Sequence, residues 1–128
     1  MSDERLRDGL ATMKSVFGVD WNMQLQPDEP ANAHDLNALL VEHAFTDSWQ
    51  RDGLDRRTKS MMTMATMVAT GQPDELRKHM HGALAIGITK DEIVEMLIHT
   101  LAYCGAPRAS AAYTITRSVF AKYPSPTE

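Results

Sequence analysis

The chain has 128 residues, 43% of them hydrophobic and 23% charged, with a formal net charge of −4, five histidines and one cysteine. That is the length of one domain and the composition of a soluble globular protein, and its acidic balance leaves no electrostatic footprint for nucleic acid. No apolar run approaches the roughly 18 to 20 residues that span a bilayer, the start "MSDERLRDG" lacks signal-peptide character, and one cysteine excludes an internal disulfide and fits a reducing cytoplasm.

Apolar spacing is helical almost throughout, and no run alternates long enough to predict a strand. Leu6, Leu10, Met13 and Phe17 make a first helical stripe that stops at Gly18, and "QLQPDEPAN" over 24–32 reads as a loop. Leu36, Leu40, His43 and Asp47 then share one face, with Leu39 and Ala44 beside it, before a turn at "RDGLD", 51–55. Thr58 to Thr70, "TKSMMTMATMVAT", carries only Lys59 as a charge, which predicts the central and most buried helix. The nine methionines of the chain fit a core of adaptable side chains or helices that pack on partner chains.

"GQPDEL" supplies a glycine stop and a proline start for a helix over Asp74 to Ile86, closed by Gly87. Thr89 and Glu92 have the spacing of a capping box and open a helix from Lys90 to Tyr103. Gly105 and Pro107 break that helix, and Ala112, Ile115, Val119 and Phe120 mark a last one before the tail at 124–128, expected to be disordered. The sequence thus predicts a single all-α domain over 1–128, of about six helices.

No CxxC, HExxH, glycine-rich phosphate loop or Gly-x-Ser-x-Gly occurs, which leaves the histidines. His79 follows Glu75 by one helical turn and lies beside the stripe of Leu76, Met80, Ala83 and Leu84. A carboxylate there raises an imidazole pKa and orients the ring, as acid–base chemistry requires; a boundary histidine with a surface ion pair is the alternative. His99 shares a face with Glu92, Glu95 and Tyr103, and His43 precedes Asp47 by one turn. Histidines and carboxylates of three helices could converge on a metal, but none of these spacings is a ligand signature, so no metal is expected. His81 stands nearly opposite His79 on its helix, so the two should not act as a unit. Cys104 sits at a helix C-terminus, whose dipole disfavours a thiolate, and it reads as a small buried residue.

The segment from Gly53 to Tyr113, "GLDRRTKSMMTMATMVATGQPDELRKHMHGALAIGITKDEIVEMLIHTLAYCGAPRASAAY", resembles the 4-carboxymuconolactone decarboxylase family. That family's pattern runs Gly-Leu, an Arg- and Thr-bearing helix start, a long apolar helix, Gly-Arg-x-(Asp/Glu)-Glu-Leu and a histidine one turn on. It ends Asn-Asn-Gly-(Val/Ile)-Thr-x-(Asp/Glu)-Glu and Tyr-x-Gly-x-Pro-Ala. The resemblance implies the helical fold of alkyl hydroperoxidase D-like proteins, assembled as a ring (a homohexamer or homotrimer), without a cofactor, and placed in the β-ketoadipate pathway of aromatic compound catabolism in the cytoplasm. Aligned with the peroxidases of that fold, Gln72 and Glu75 fall at the two cysteine positions and Ser60 at the relay glutamate, so thiol peroxidase chemistry is not expected.

The activity implied is loss of CO2 from a carboxylated butenolide, with the electron pair delocalised onto the lactone carbonyl before carbon is protonated. The resemblance implies His79 and Asp47 as catalytic residues, Asp47 replacing a family glutamate. It implies His99, Tyr103, Arg56, Arg57, His81 and Ser110 as substrate-binding residues. The chain departs from the pattern where His81 replaces an arginine, Ala85-Ile86 replace Asn-Asn, Ser110 replaces an asparagine and an arginine near Met23 and Gln24 is lost. Those losses leave three readings: the family decarboxylase, another cofactor-free lyase, isomerase or lactone hydrolase acting on a less anionic substrate, or a non-catalytic small-molecule binder.

Overall fold

The structure, a computed structural model, describes residues 3–123; the tail expected to be disordered lies outside the described residues. Six α-helices and one π-helical segment, with no strand among the described residues, make the chain all-α. They gather into two compact units, Met1–Asp55 and Arg56–Glu128. Among the described residues no helix is long and apolar enough to cross a membrane.

The first unit holds α1 (Asp3–Phe17), α2 (Ala33–Val41) and the π-helix Glu42–Trp49 that continues α2. Its core is Met13, Val16, Val41, Phe45 and Trp49, with Leu6, Leu10 and Phe17 packed against it. Phe45 lies edge-on to Phe17 at 5.6 Å and stacks on Trp49 at 6.4 Å. Gly9 permits the close approach of α1: a Cβ there would overlap the Thr46 hydroxyl and meet Val41 Cγ1 at 2.9 Å. The leucine-bearing face of α2 turns outward. Leu36, Leu39 and Leu40 are exposed, and Ala38, Val41 and Phe45 turn inward instead. Spacing identifies an apolar stripe without saying which stripe meets the core, and the wider π turn shifts every later side chain out of α-helical register.

The second unit is a four-helix assembly of α3 (Arg56–Thr70), α4 (Pro73–Ala85), α5 (Lys90–Cys104) and α6 (Ala106–Phe120). Met64, Val68, Leu76, Met80, Ala83, Ile88, Ile93 and Val119 form its core, and Cys104 packs against the rim of that core. Helix α3 touches the other three, which makes it central as expected. It is not the most buried: only Ser60, Met64 and Val68 are fully enclosed, whereas α4 encloses Leu76, His79, Met80, Gly82 and Ala83. Helix α5 starts with the predicted capping box. The Glu92 amide donates to Thr89 Oγ1 at 3.1 Å, and the Thr89 amide donates to Glu92 Oε1 at 3.0 Å. Two otherwise orphaned donors are satisfied, which holds the first turn of α5 in place.

Candidate active site

Helix α4 begins with Pro73 at its first position and acidic residues in its first turn, both favourable at a helix N-terminus. Its inward stripe then carries Leu76, His79, Met80 and Ala83 into the core of the 56–128 unit. His79 retains 6% of its surface. Burial lowers its pKa to about 4; Glu75 pulls upward and Lys78 downward, both more weakly. The expectation that Glu75 sets the pKa is therefore corrected. Glu75 is exposed and ion-paired with Lys78 at 3.0 Å, so desolvation of the imidazolium dominates. His79 is a neutral imidazole at pH 7.

His99 occupies a different place. A cleft of about 450 Å³ runs between α3 and α5, lined by Met61 and Ala65 on one side and by Asp91, Glu92, Glu95, Met96, His99 and Thr100 on the other. His99 and Tyr103 come together as expected, rings 5.3 Å apart, although Tyr103 is 82% exposed. Arg57 is tied to Glu92 in an ion pair. The cleft thus has an apolar floor and a wall of three carboxylates, an environment that repels an anionic ligand. Arg56, the first residue of α3, is half-buried.

The remaining candidates are dispersed. His81 Nδ1 lies 3.0 Å from the Tyr123 hydroxyl, and its pKa is lowered by burial and then by Lys122 and Arg77. The sequence expectation that His79 and His81 act apart agrees with one buried and one facing Tyr123. Ser110 is exposed on α6, its carbonyl accepting a 3.3 Å bond from the Thr114 hydroxyl. Asp47 belongs to the 1–55 unit, where Arg5 Nη2 donates to it at 2.7 Å while Arg5 Nε faces the buried Glu42 at 3.4 Å. Among the described residues no three His, Cys, Asp or Glu side chains converge to hold a metal ion.

A second recess was not foreseen from the sequence. Met67 and Val68 of α3, Gln72 just before α4, Leu76 of α4, and Arg108 and Ala112 of α6 line a cavity of about 50 Å³ beside the Gly71 turn. Leu76, which lines this recess, is one helical turn before His79 on the same inward stripe of α4; His79 itself does not line it. The signal that could have found it is Arg108, which stands where the pattern Tyr-x-Gly-x-Pro-Ala has alanine.

Similarity to known proteins bears on this arrangement directly. The chain is 35% identical to a 4-carboxymuconolactone decarboxylase of Acinetobacter baylyi over 94% of its own length and 90% of the relative's. It is 30% identical to the nitrosuccinic acid decarboxylase npaB of Metarhizium robertsii, over 86% of this chain and 77% of that one. An uncharacterized 15.0 kDa protein of Paracoccus denitrificans is 33% identical over 68% of this chain and 66% of its own. The profile of the Carboxymuconolactone decarboxylase family matches residues 34–118, which include the π-helix and all of α3, α4 and α5. The chain belongs to the Carboxymuconolactone decarboxylase family.

Proposed function

We propose that the chain is a carboxy-lyase that removes CO2 from a carboxylated butenolide of the 4-carboxymuconolactone type, with His79 at the reacting centre. The observation that carries this reading is the buried, neutral histidine at the family's histidine position in a chain 35% identical to a 4-carboxymuconolactone decarboxylase. When the carbon–carboxylate bond breaks, its electron pair spreads through the C=C bond onto the lactone carbonyl, giving a dienolate. A proton then adds to carbon and yields the enol-lactone. The substrate is its own electron sink, so the protein's task is to orient it and stabilise the growing oxyanion.

Burial decides which role suits His79. With a pKa of about 4, only about one molecule in a thousand carries an imidazolium at pH 7. The neutral ring keeps one N–H, and that N–H donates to the developing oxyanion in a desolvated site, where such a bond is strongest. The proton that reaches carbon then comes from solvent. A cofactor-free reaction follows from the substrate's own electronics.

A second reading has one observation in its favour, the likeness to a nitrosuccinic acid decarboxylase. Nitrosuccinic acid bears a carboxylate on the nitro-bearing carbon, so losing CO2 leaves a nitronate. The demands on the protein are the same: a placed carboxylate and a donor to an oxyanion. Incubating the purified chain with 4-carboxymuconolactone and, separately, with nitrosuccinate separates the readings. Release of CO2 with formation of the enol-lactone is the expected result, turnover of nitrosuccinate alone transfers the reading to nitro acids, and turnover of neither by folded protein overturns both.

Self-association as a homohexamer or homotrimer belongs to the same reading. Ile98, Leu101 and Tyr103 on α5 and Leu36, Leu39 and Leu40 on α2 are exposed, and a contact with further copies would cover them. Light scattering on the purified chain is expected to give three or six times the 14.3 kDa of one chain.

A further inference from the structure

We propose that Arg108 and the small cavity beside it form the anchor for one carboxylate of the substrate, the one that stays on the product. This rests on the decarboxylase reading above and adds to it a residue outside the family pattern. The guanidinium of Arg108 makes no ion pair or hydrogen bond with another described residue. By contrast, Arg5 is held by Asp47, Arg57 by Glu92, and Arg77 by the Ser118 hydroxyl. The first turn of α4 carries Asp74 and Glu75; both are exposed, and Glu75 is engaged by Lys78.

The seat of the guanidinium is defined. It lies over Gly71, where an added Cβ would overlap Arg108 Nη1, and where φ of +69° also favours glycine. The space beside it measures about 50 Å³ and is lined mainly by Met67, Val68, Leu76 and Ala112. At roughly 10 to 15 Å³ per water-sized position, that holds three or four heavy atoms, the size of a carboxylate. An unpaired carboxylate would not enter an apolar recess, whereas a guanidinium at its edge supplies two parallel charge-assisted bonds.

Position along α4 agrees. Leu76 lines the recess and His79 follows three residues later, a rise of about 4.5 Å, which a small two-ended acid bound to the guanidinium can bridge. The carboxylate held there is the retained one, because tying the departing carboxylate to an arginine would stabilise the ground state more than the transition state.

Succinate, a dicarboxylate without a leaving group, tests the anchor independently of turnover. Titrated into the wild-type chain, it is expected to shift the Arg108 Nε–H resonance. Arg108→Ala should weaken its binding by about tenfold or more and Arg108→Lys by less, as fits the loss of charged hydrogen bonds. Arg77→Ala should leave it unchanged, and Gly71→Ala, which displaces the guanidinium, should weaken it. In turnover, Arg108→Ala should raise KM by the same factor with kcat little altered. Wild-type binding that leaves Arg108 unperturbed, no binding at all, or equal affinity in folded Arg108→Ala overturns the anchor. Arg108-dependent binding without turnover of any carboxylic acid keeps the anchor and overturns the decarboxylase reading. Turnover with KM unchanged in Arg108→Ala keeps that reading and overturns the anchor.

Discussion

Two recesses of the 56–128 unit invite a ligand, and they differ in size, charge and burial. The cleft between α3 and α5 is about nine times larger in volume, at about 450 Å³ against about 50 Å³, and it carries His99 with three carboxylates. The small recess between α3, α4 and α6 has a single charged group, Arg108, and is lined by Leu76, one helical turn from the buried His79. Size favours the first and chemistry favours the second. A reaction that spreads negative charge onto an oxygen is helped by a desolvated N–H and hindered by a wall of acids. On the proposed reading, His79 suits this chemistry because burial keeps water from its ring.

Removing the two histidines in turn gives the largest expected contrast. His79→Ala should reduce kcat by about 10² to 10³, the usual loss for one oxyanion donor, while His99→Ala should stay within about tenfold of wild type. Rates on 4-carboxymuconolactone measure both, with circular dichroism to verify that each variant is folded. Equal losses, or a larger loss for His99→Ala, would transfer the chemistry to the acidic cleft.

The second contrast concerns pH. His79 binds its proton at about 4 in the folded chain, against 6.5 for an unperturbed histidine. Between those values the unfolded chain takes up a proton that the folded chain refuses, so stability is complete above about pH 6.5 and falls as pH drops toward 4. The difference of about 2.5 units corresponds to about 3 kcal/mol, an order-of-magnitude figure. Urea unfolding at a series of pH values should show that slope, and His79→Gln should flatten it. A wild-type profile already flat over this window would mean that His79 is solvated, like the exposed His99.

Much of the second unit could be read from its sequence because its signals are local. The capping box at Thr89, the proline start of α4 and the glycine stops set helix ends within about two residues of those observed, as such boundaries usually fall. The family pattern picked out His79 for the same reason: its motif is contiguous. What was illegible depends on distant parts of the chain. Glu75 at one turn from His79 suggests a raised pKa, and only the burial of His79 in the fold reveals that desolvation wins. Likewise the leucines of α2 form a good stripe, yet the stripe faces outward because Phe45 and Trp49, carried on a π-helix, take the core. Arg108 acquires meaning only when α6 sets it over the Gly71 turn.

The capping box offers a smaller effect that bears on the cleft alone. Thr89→Ala removes the acceptor for the Glu92 amide and should cost about 1 kcal/mol in urea unfolding. Glu92 both caps α5 and pairs with Arg57, so loosening it disturbs the cleft wall and leaves α4 untouched. Activity should therefore change little once the variant is assayed well below its unfolding midpoint. A loss of kcat comparable to that of His79→Ala would tie the reaction to the mouth of the cleft.

The smallest expected effect is the sharpest discriminator. Glu95 lines the cleft, is exposed, and shares a helical face with His99. If a dicarboxylate seated there, the repulsion from Glu95 at about 4 Å would approach 4 kcal/mol at an effective dielectric of about 20. Glu95→Gln would then lower KM by up to about a thousandfold. If the acid instead binds along α4, Glu95 acts only through solvent, where charges more than about 8 Å apart are largely screened at physiological salt. KM should then move by less than about twofold, and that small change should vanish as salt is added. A large, salt-resistant drop in KM would place the substrate beside His99 and reverse the comparison.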